Sequence, residues 1–124
     1  MFDHVGVNVS DYEVSKRFYE GALAPLGYEV RMEFEEWKTA GFGAEGVPGY
    51  FWISQRDPRT TGTHVAFQVP DRATVDAFHA AGVAAGGADN GEPGLREHYH
   101  PTYYGAFVLD PDGNNVEAVC HGSE

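Results

Sequence analysis

One pattern occurs twice in this chain, sixty residues apart, and it limits the possible fold more than any other feature. Asp3-His4-Val5-Gly6-Val7-Asn8-Val9-Ser10-Asp11 returns as Thr63-His64-Val65-Ala66-Phe67-Gln68-Val69-Pro70-Asp71. The echo stays in phase, with Phe18 answering Phe78 and Gly27 answering Gly87. Self-similarity at so long a period marks one supersecondary unit used more than once. Each copy opens on a histidine followed by alternating apolar residues. If the copies pack about a pseudo-twofold, the two histidines could meet at one centre.

Val5, Val7 and Val9 alternate with His4, Gly6 and Asn8, a period of two that reads as a strand. Its aliphatic face packs on a helix, while the other face presents His4 and Asn8 with space left by Gly6. In the second copy Val65, Phe67 and Val69 take the helix side and His64, Ala66 and Gln68 the open side. A helix start follows each strand. Ser10-Asp11-Tyr12-Glu13 has capping-box spacing, and Asp71 serves as an N-cap. Val14, Phe18 and either Leu23 or Leu26 form the buried stripe of the first helix; Val75, Phe78 and Val83 form that of the second. Gly27 and the Gly86-Gly87 pair end them. Strand-like runs follow at Tyr28–Phe34, Glu36–Gly41 and Tyr50–Ser54, and later at Tyr103–Leu109 and Asn115–Cys120. The last two are joined by the turn Asp110-Pro111-Asp112-Gly113. The stretch 88–102 reads as a long loop holding two histidines. The order is βαβββ twice, an α+β plan within one domain over residues 1–124. Module one covers about 1–55, a linker 56–62, and module two about 63–122.

Composition excludes some functions. A chain of 124 residues fits one domain by the usual ~100–200 residues per domain. A formal charge of −11 repels phosphate backbones and argues against a nucleic-acid partner. No apolar run approaches the ~20 residues that cross a bilayer, and Met1-Phe2-Asp3-His4 lacks the regions of a signal peptide. A lone Cys120, expected to be buried and inert, fits a reducing cytoplasm.

The module order, the histidine opening both copies and the carboxylate in the last strand resemble the vicinal oxygen chelate superfamily. This group holds glyoxalase I, extradiol dioxygenases, fosfomycin resistance transferases, methylmalonyl-CoA epimerase and bleomycin resistance proteins. The most specific piece is Asp110-Pro111-Asp112-Gly113-Asn114-Asn115-Val116-Glu117, which matches the family's D-P-x-G-x-x-x-E hairpin. The resemblance covers almost the whole chain. It implies two modules that form a cupped, incomplete-barrel mixed sheet with a divalent ion (Fe, Mn, Zn, Ni or Co) between them. By motif position its ligands are His4, His64 and Glu117. Two imidazoles and a carboxylate leave other positions of an ion free for water or substrate. A substrate with neighbouring oxygens can then chelate it, which stabilises developing negative charge.

The chain departs from individual relatives in ways that matter. Alignment of residues 49–54 with 114–119 sets Trp52 where glyoxalase I places a fourth ligand that also moves protons. An aromatic wall at this point suits a planar substrate, the alternative being a core tryptophan. Extradiol dioxygenases carry a histidine and a tyrosine ahead of the hairpin. His100 lies at the first of these positions, but the second is Phe107, with Tyr103 on the same strand face as a replacement. Fosfomycin transferases need a basic cluster, whereas only eight Lys and Arg occur here, with Lys38, Arg56 and Arg96 as candidates. The run Arg96–Tyr104 is dense in imidazoles and phenols, which suits acid–base work or, alternatively, packing on a dimer partner. His79 and His121 read as solvent-facing.

The resemblance therefore implies a metal-dependent enzyme acting on a small oxygen-rich substrate. The reaction is that of a dioxygenase or a transferase or lyase, without efficient glyoxalase I activity. His100 and Tyr103 are its acid–base or orienting groups, and Trp52, His98, Phe107, Asn8 and Gln68 contact substrate. The expected assembly is a cytoplasmic homodimer without membrane contact; relatives commonly build their sites across such a dimer with modules exchanged between subunits, an arrangement that the sequence leaves open here. The alternative is a non-catalytic protein of the bleomycin resistance type that sequesters a drug in a groove lined by Trp37, Trp52 and tyrosines.

Overall fold

Period-two alternation becomes strand at both copies of the repeat, in β1 (His4–Val9) and β5 (His64–Gln68). The computed structural model describes residues 2–47 and 49–124. Met1 and Pro48, inside the expected first module, lie outside the described residues. β1 leads into helix α1 (Tyr12–Leu23) and strands β2 (Glu29–Phe34), β3 (Thr39–Gly43) and β4 (Tyr50–Gln55). β5 leads into α2 (Arg72–Ala84), β6 (Ala88–Leu95), β7 (Tyr104–Leu109) and β8 (Asn115–Cys120). The result is two four-stranded sheets of matching order, β1-β4-β3-β2 and β5-β8-β7-β6. In each, the repeat strand runs parallel to the module's last strand and the other pairings are antiparallel. The expected tandem βαβββ plan is the observed one.

The helices bury their apolar faces against the strands of their own modules and against each other. Phe18, Tyr19, Ala22 and Leu23 of α1 and Val75 and Phe78 of α2 are fully buried. Each large side chain of this kind contributes ~1.5–3 kcal/mol by leaving water. Val14 and Val83, expected in the stripes, are 41% and 40% exposed. Tyr12 and Gly82 hold buried positions instead. Small residues let the helices approach: a Cβ on Gly21 would lie 2.6 Å from that of Ala85, and one on Gly82 would lie 3.5 Å from that of Ala22.

Local signals differ from expectation at three places. Asp11, not Ser10, caps α1 by accepting from the Val14 N–H, because Ser10 Oγ donates to Asp112 Oδ1 at 2.6 Å. The weak run from Glu36 begins as a 3₁₀ turn (Glu35–Trp37), and strand pairing starts only at Thr39. The expected loop 88–102 contains β6, paired to β7 through two register shifts.

The hairpin turn before β8 ties the modules together. Tyr19 donates to Asp110 Oδ2 at 2.5 Å. Asn114 donates to Asp110 and to the Thr60 carbonyl of the linker, and accepts from the Thr63 N–H at 3.1 Å. Every member is buried or half-buried, so the network fixes the linker as well as the turn. No helix among the described residues is long and apolar enough to cross a membrane.

Candidate functional site

Strand register sets the site. Parallel pairing of β5 with β8 puts Ala66 opposite Glu117, and that of β1 with β4 puts Gly6 opposite Trp52. Trp52 is thus the positional counterpart of Glu117, as the repeat alignment had it. Both small partners leave the open face clear for the larger side chain.

Glu117 is fully buried, and its two oxygens are divided between two neighbours. His64 Nε2 lies 2.7 Å from Oε1, and the Tyr103 hydroxyl donates to Oε2. Gly105 on β7 makes room for this meeting, since a Cβ there would stand 3.2 Å from the Tyr103 ring and 3.3 Å from Glu117 Oε2. Burial first, and then the hydrogen bond to Glu117, holds the Tyr103 phenol above the ordinary phenol range. It therefore stays protonated as a donor. Phe107 pairs with Glu117 across β7 and β8, and its ring centroid lies 6.2 Å from that of His64.

His4 stands elsewhere. Its side chain is 62% exposed, with Nδ1 2.8 Å from Asp3 Oδ1. With Met32, Tyr50 and Trp52 it lines a cavity of about 440 Å³ on module one. Trp52 is half-buried, faces this cavity and lies over Gly41, where a Cβ would be 2.9 Å from the indole. Among the described residues no three His, Cys, Asp or Glu side chains are gathered so that they could hold a metal ion. His64 and Glu117 meet within one chain; His4 does not join them.

The histidine-rich loop folds onto Tyr103. Tyr99 packs against Tyr103 at 5.1 Å and against His98 at 4.2 Å between centroids. His100 is turned toward Thr102 and His121, accepting from the Thr102 N–H at 3.3 Å, while the His121 ring borders Tyr103 at 5.4 Å. The Asn8 side chain donates to the Pro58 carbonyl, holding the linker; Gln68 is exposed at the end of β5. His79, read from sequence as solvent-facing, is half-buried and 2.9 Å from Asp89 Oδ1.

Sequence reasoning undervalued Arg96. Its guanidinium lies over the Phe107 ring at 5.3 Å, in a cavity of about 410 Å³ with Asn90, Gly91, Tyr99 and Asn115. The only sequence signal was a rare cation ahead of an aromatic loop.

This geometry suits a divalent ion in part. A buried carboxylate costs several kcal/mol unless positive charge or donors meet it, and imidazole beside carboxylate is a common donor set for such ions.

Residues 1–118 match the family model described as Glyoxalase/Bleomycin resistance protein/Dioxygenase superfamily. Among solved structures, a glyoxalase/bleomycin resistance protein from Albidiferax ferrireducens is 35% identical, covers 97% of this chain and 98% of its own, and superposes with a TM-score of 0.82. A putative glyoxalase from Bacillus halodurans is 26% identical with a TM-score of 0.72, covering 97% and 95%. The fosfomycin resistance protein FosX from Listeria monocytogenes, solved with Mn(II) and 1S,2S-dihydroxypropylphosphonic acid, is 19% identical with a TM-score of 0.69, covering 96% and 88%, a likeness of fold alone. No curated protein matches the chain.

Proposed function

The chain belongs to the glyoxalase/bleomycin resistance protein/dioxygenase superfamily, and from that premise we propose that it is a divalent-metal-dependent enzyme acting on a small, oxygen-rich molecule. The observation that carries this reading is the fully buried Glu117 carboxylate 2.7 Å from His64 Nε2. His64 and Glu117 hold the ion, and His4 supplies the third ligand from module one of a second copy in a homodimer. When bound, the ion supplies Lewis acidity toward neighbouring substrate oxygens. Tyr103 orients Glu117 and carries a proton at its hydroxyl beside the reacting centre. Phe107 and Trp52 exclude water and give flat apolar walls. His100 is turned toward His121, so its acid–base role acts along the loop rather than on Glu117.

Efficient glyoxalase I chemistry is not part of this proposal. Glu33, a possible substitute for the missing glutamate, lies on the helix side of β2. There it accepts from Tyr12 at 2.5 Å and from Lys16 at 2.8 Å. Glu45 is exposed in the turn before β4. Neither glutamate takes the position that Trp52 holds opposite Gly6.

Metal analysis of the purified chain, after supply of manganese, iron, zinc, nickel or cobalt, is expected to find about one ion per chain, lost in His64→Ala. A wild-type chain that takes up none of the five metals would overturn the enzymatic reading and favour a drug-sequestering protein. With metal bound, turnover of the methylglyoxal–glutathione hemithioacetal is expected near background. A kcat in the usual ~1–10³ s⁻¹ range would refute the exclusion of glyoxalase I.

A further inference from the structure

The cation that the site has not yet used is Arg96. Its Nη2 donates to the Glu92 carbonyl at 2.8 Å, one of five N–H donors in the fork. It takes part in none of the side-chain ion pairs among the described residues. Two glycines of β6 make room for it. A Cβ on Gly91 would lie 3.2 Å from Nη2, and one on Gly94 would lie 3.1 Å from Nη1. The ring of Phe107 lies beneath the guanidinium at 5.3 Å and also borders His64 at 6.2 Å. One aromatic surface thus joins an unpaired cation to the His64–Glu117 pair.

Deepening the functional reading above, and resting on it for the neighbouring ion, we propose that Arg96 seats a carboxylate of the substrate. The substrate class is then a small carboxylic acid whose further oxygens reach toward His64 and Glu117. A planar fork matches a carboxylate with two parallel charge-assisted hydrogen bonds. A dianionic phosphonate calls for several cations, and among the described residues Arg96 is the only Lys or Arg lining this cavity. The formal charge of −11 opposes any anion at long range, but salt screens exposed charges beyond about 8 Å. Contact with the fork decides the outcome.

The test uses the full chain stripped with chelator, so that no ion competes for the acid. Two matched pairs of probes, acetate with acetamide and benzoate with benzamide, are titrated into isotope-labelled protein and followed by nuclear magnetic resonance. The acid of at least one pair is expected to bind about tenfold more tightly than its amide, a difference of ~1.4 kcal/mol. Its resonance shifts should centre on Arg96 and Phe107. Arg96→Gln removes this preference. Arg96→Lys keeps the charge without the fork and gives an intermediate value, which preserves the test should the glutamine variant fold poorly. Absence of acid preference in both pairs, or a preference unchanged in Arg96→Gln, would overturn the proposal. Metal uptake separates this idea from the functional reading. An ion taken up without acid preference sinks the carboxylate seat alone. Acid preference without metal uptake leaves the seat and sinks the metalloenzyme.

Discussion

Glu117 is the residue on which the proposed chemistry turns, since a fully buried carboxylate needs positive charge or donors about it. It has two neighbours but no Lys or Arg among its hydrogen-bonding partners. An arginine there would satisfy it permanently, whereas an imidazole and a phenol leave the carboxylate able to take an ion. Partners behind metal ligands typically account for 10–100-fold in affinity. Tyr103→Phe is therefore expected to weaken metal binding by about 10–100-fold while the fold is retained, as measured by competition with a chromogenic chelator. Unchanged affinity would mean that Tyr103 leaves Glu117 once an ion is present. Its place beside Glu117 was legible in the sequence, because strand periodicity puts Tyr103 and Phe107 on one face. Arg96 was less legible: its placement depends on the space above Gly91 and Gly94, and no pattern of types encodes that.

At the scale of elements, the strands with their own alternation were readable and those without it were not. β1 and β5 announce themselves. β6 contains Gly91, Pro93 and Gly94, which are poor strand formers, and it exists because β7 offers a ladder to pair with. Likewise Ser10 had the composition of a cap but is held by Asp112, a partner 102 residues away. The hairpin network shows how much such distant partners matter. Asn114→Ala leaves the Thr63 N–H and the Asp110 carboxylate short of partners, with an expected cost of roughly 1–3 kcal/mol. This should appear as a lower urea midpoint at unchanged slope. Tyr19 belongs to the same network. Burial, and then the Asp110 carboxylate, pushes its phenol above the usual value of 10.0. The folded state thus prefers the protonated phenol more than the unfolded chain does. That contribution is complete below pH 10.0 and is lost as pH rises above it. Urea midpoints measured up the alkaline range should fall above that pH, and less steeply in Tyr19→Phe. Equal slopes in the two proteins would show that other groups govern alkaline unfolding.

At the scale of the whole molecule, the residues proposed for the site lie in two places rather than one. His4 and Trp52 face a cavity on module one, whereas His64, Glu117 and Arg96 belong to module two. Among the described residues the sheets share no strand pairing, and β1 and β5 are each an edge of their own sheet. The linker covers one end of β1, where Thr60 and Asn8 exchange hydrogen bonds, and at the other end Val5 is 39% exposed. Free edges of this kind invite pairing. A twofold dimer with exchanged modules would set module one of each chain against module two of its partner and complete two sites at once. The repeat made matched histidines visible in the sequence. It could not say whether they meet within a chain, since the helix packing at Gly21 and Ala85 decides how the modules sit. Mixing two defective chains distinguishes the cases. His4→Ala and His64→Ala homodimers are each expected to bind no ion. If sites form across the interface, a heterodimer of the two carries both defects in one site and none in the other. Mixing by unfolding and refolding should then restore metal to about half of the heterodimer's sites, as read by native mass spectrometry. If each chain built its own site, every site in the mixture would stay broken. An empty heterodimer would therefore refute exchange and return His4 to the aromatic cavity on its own module.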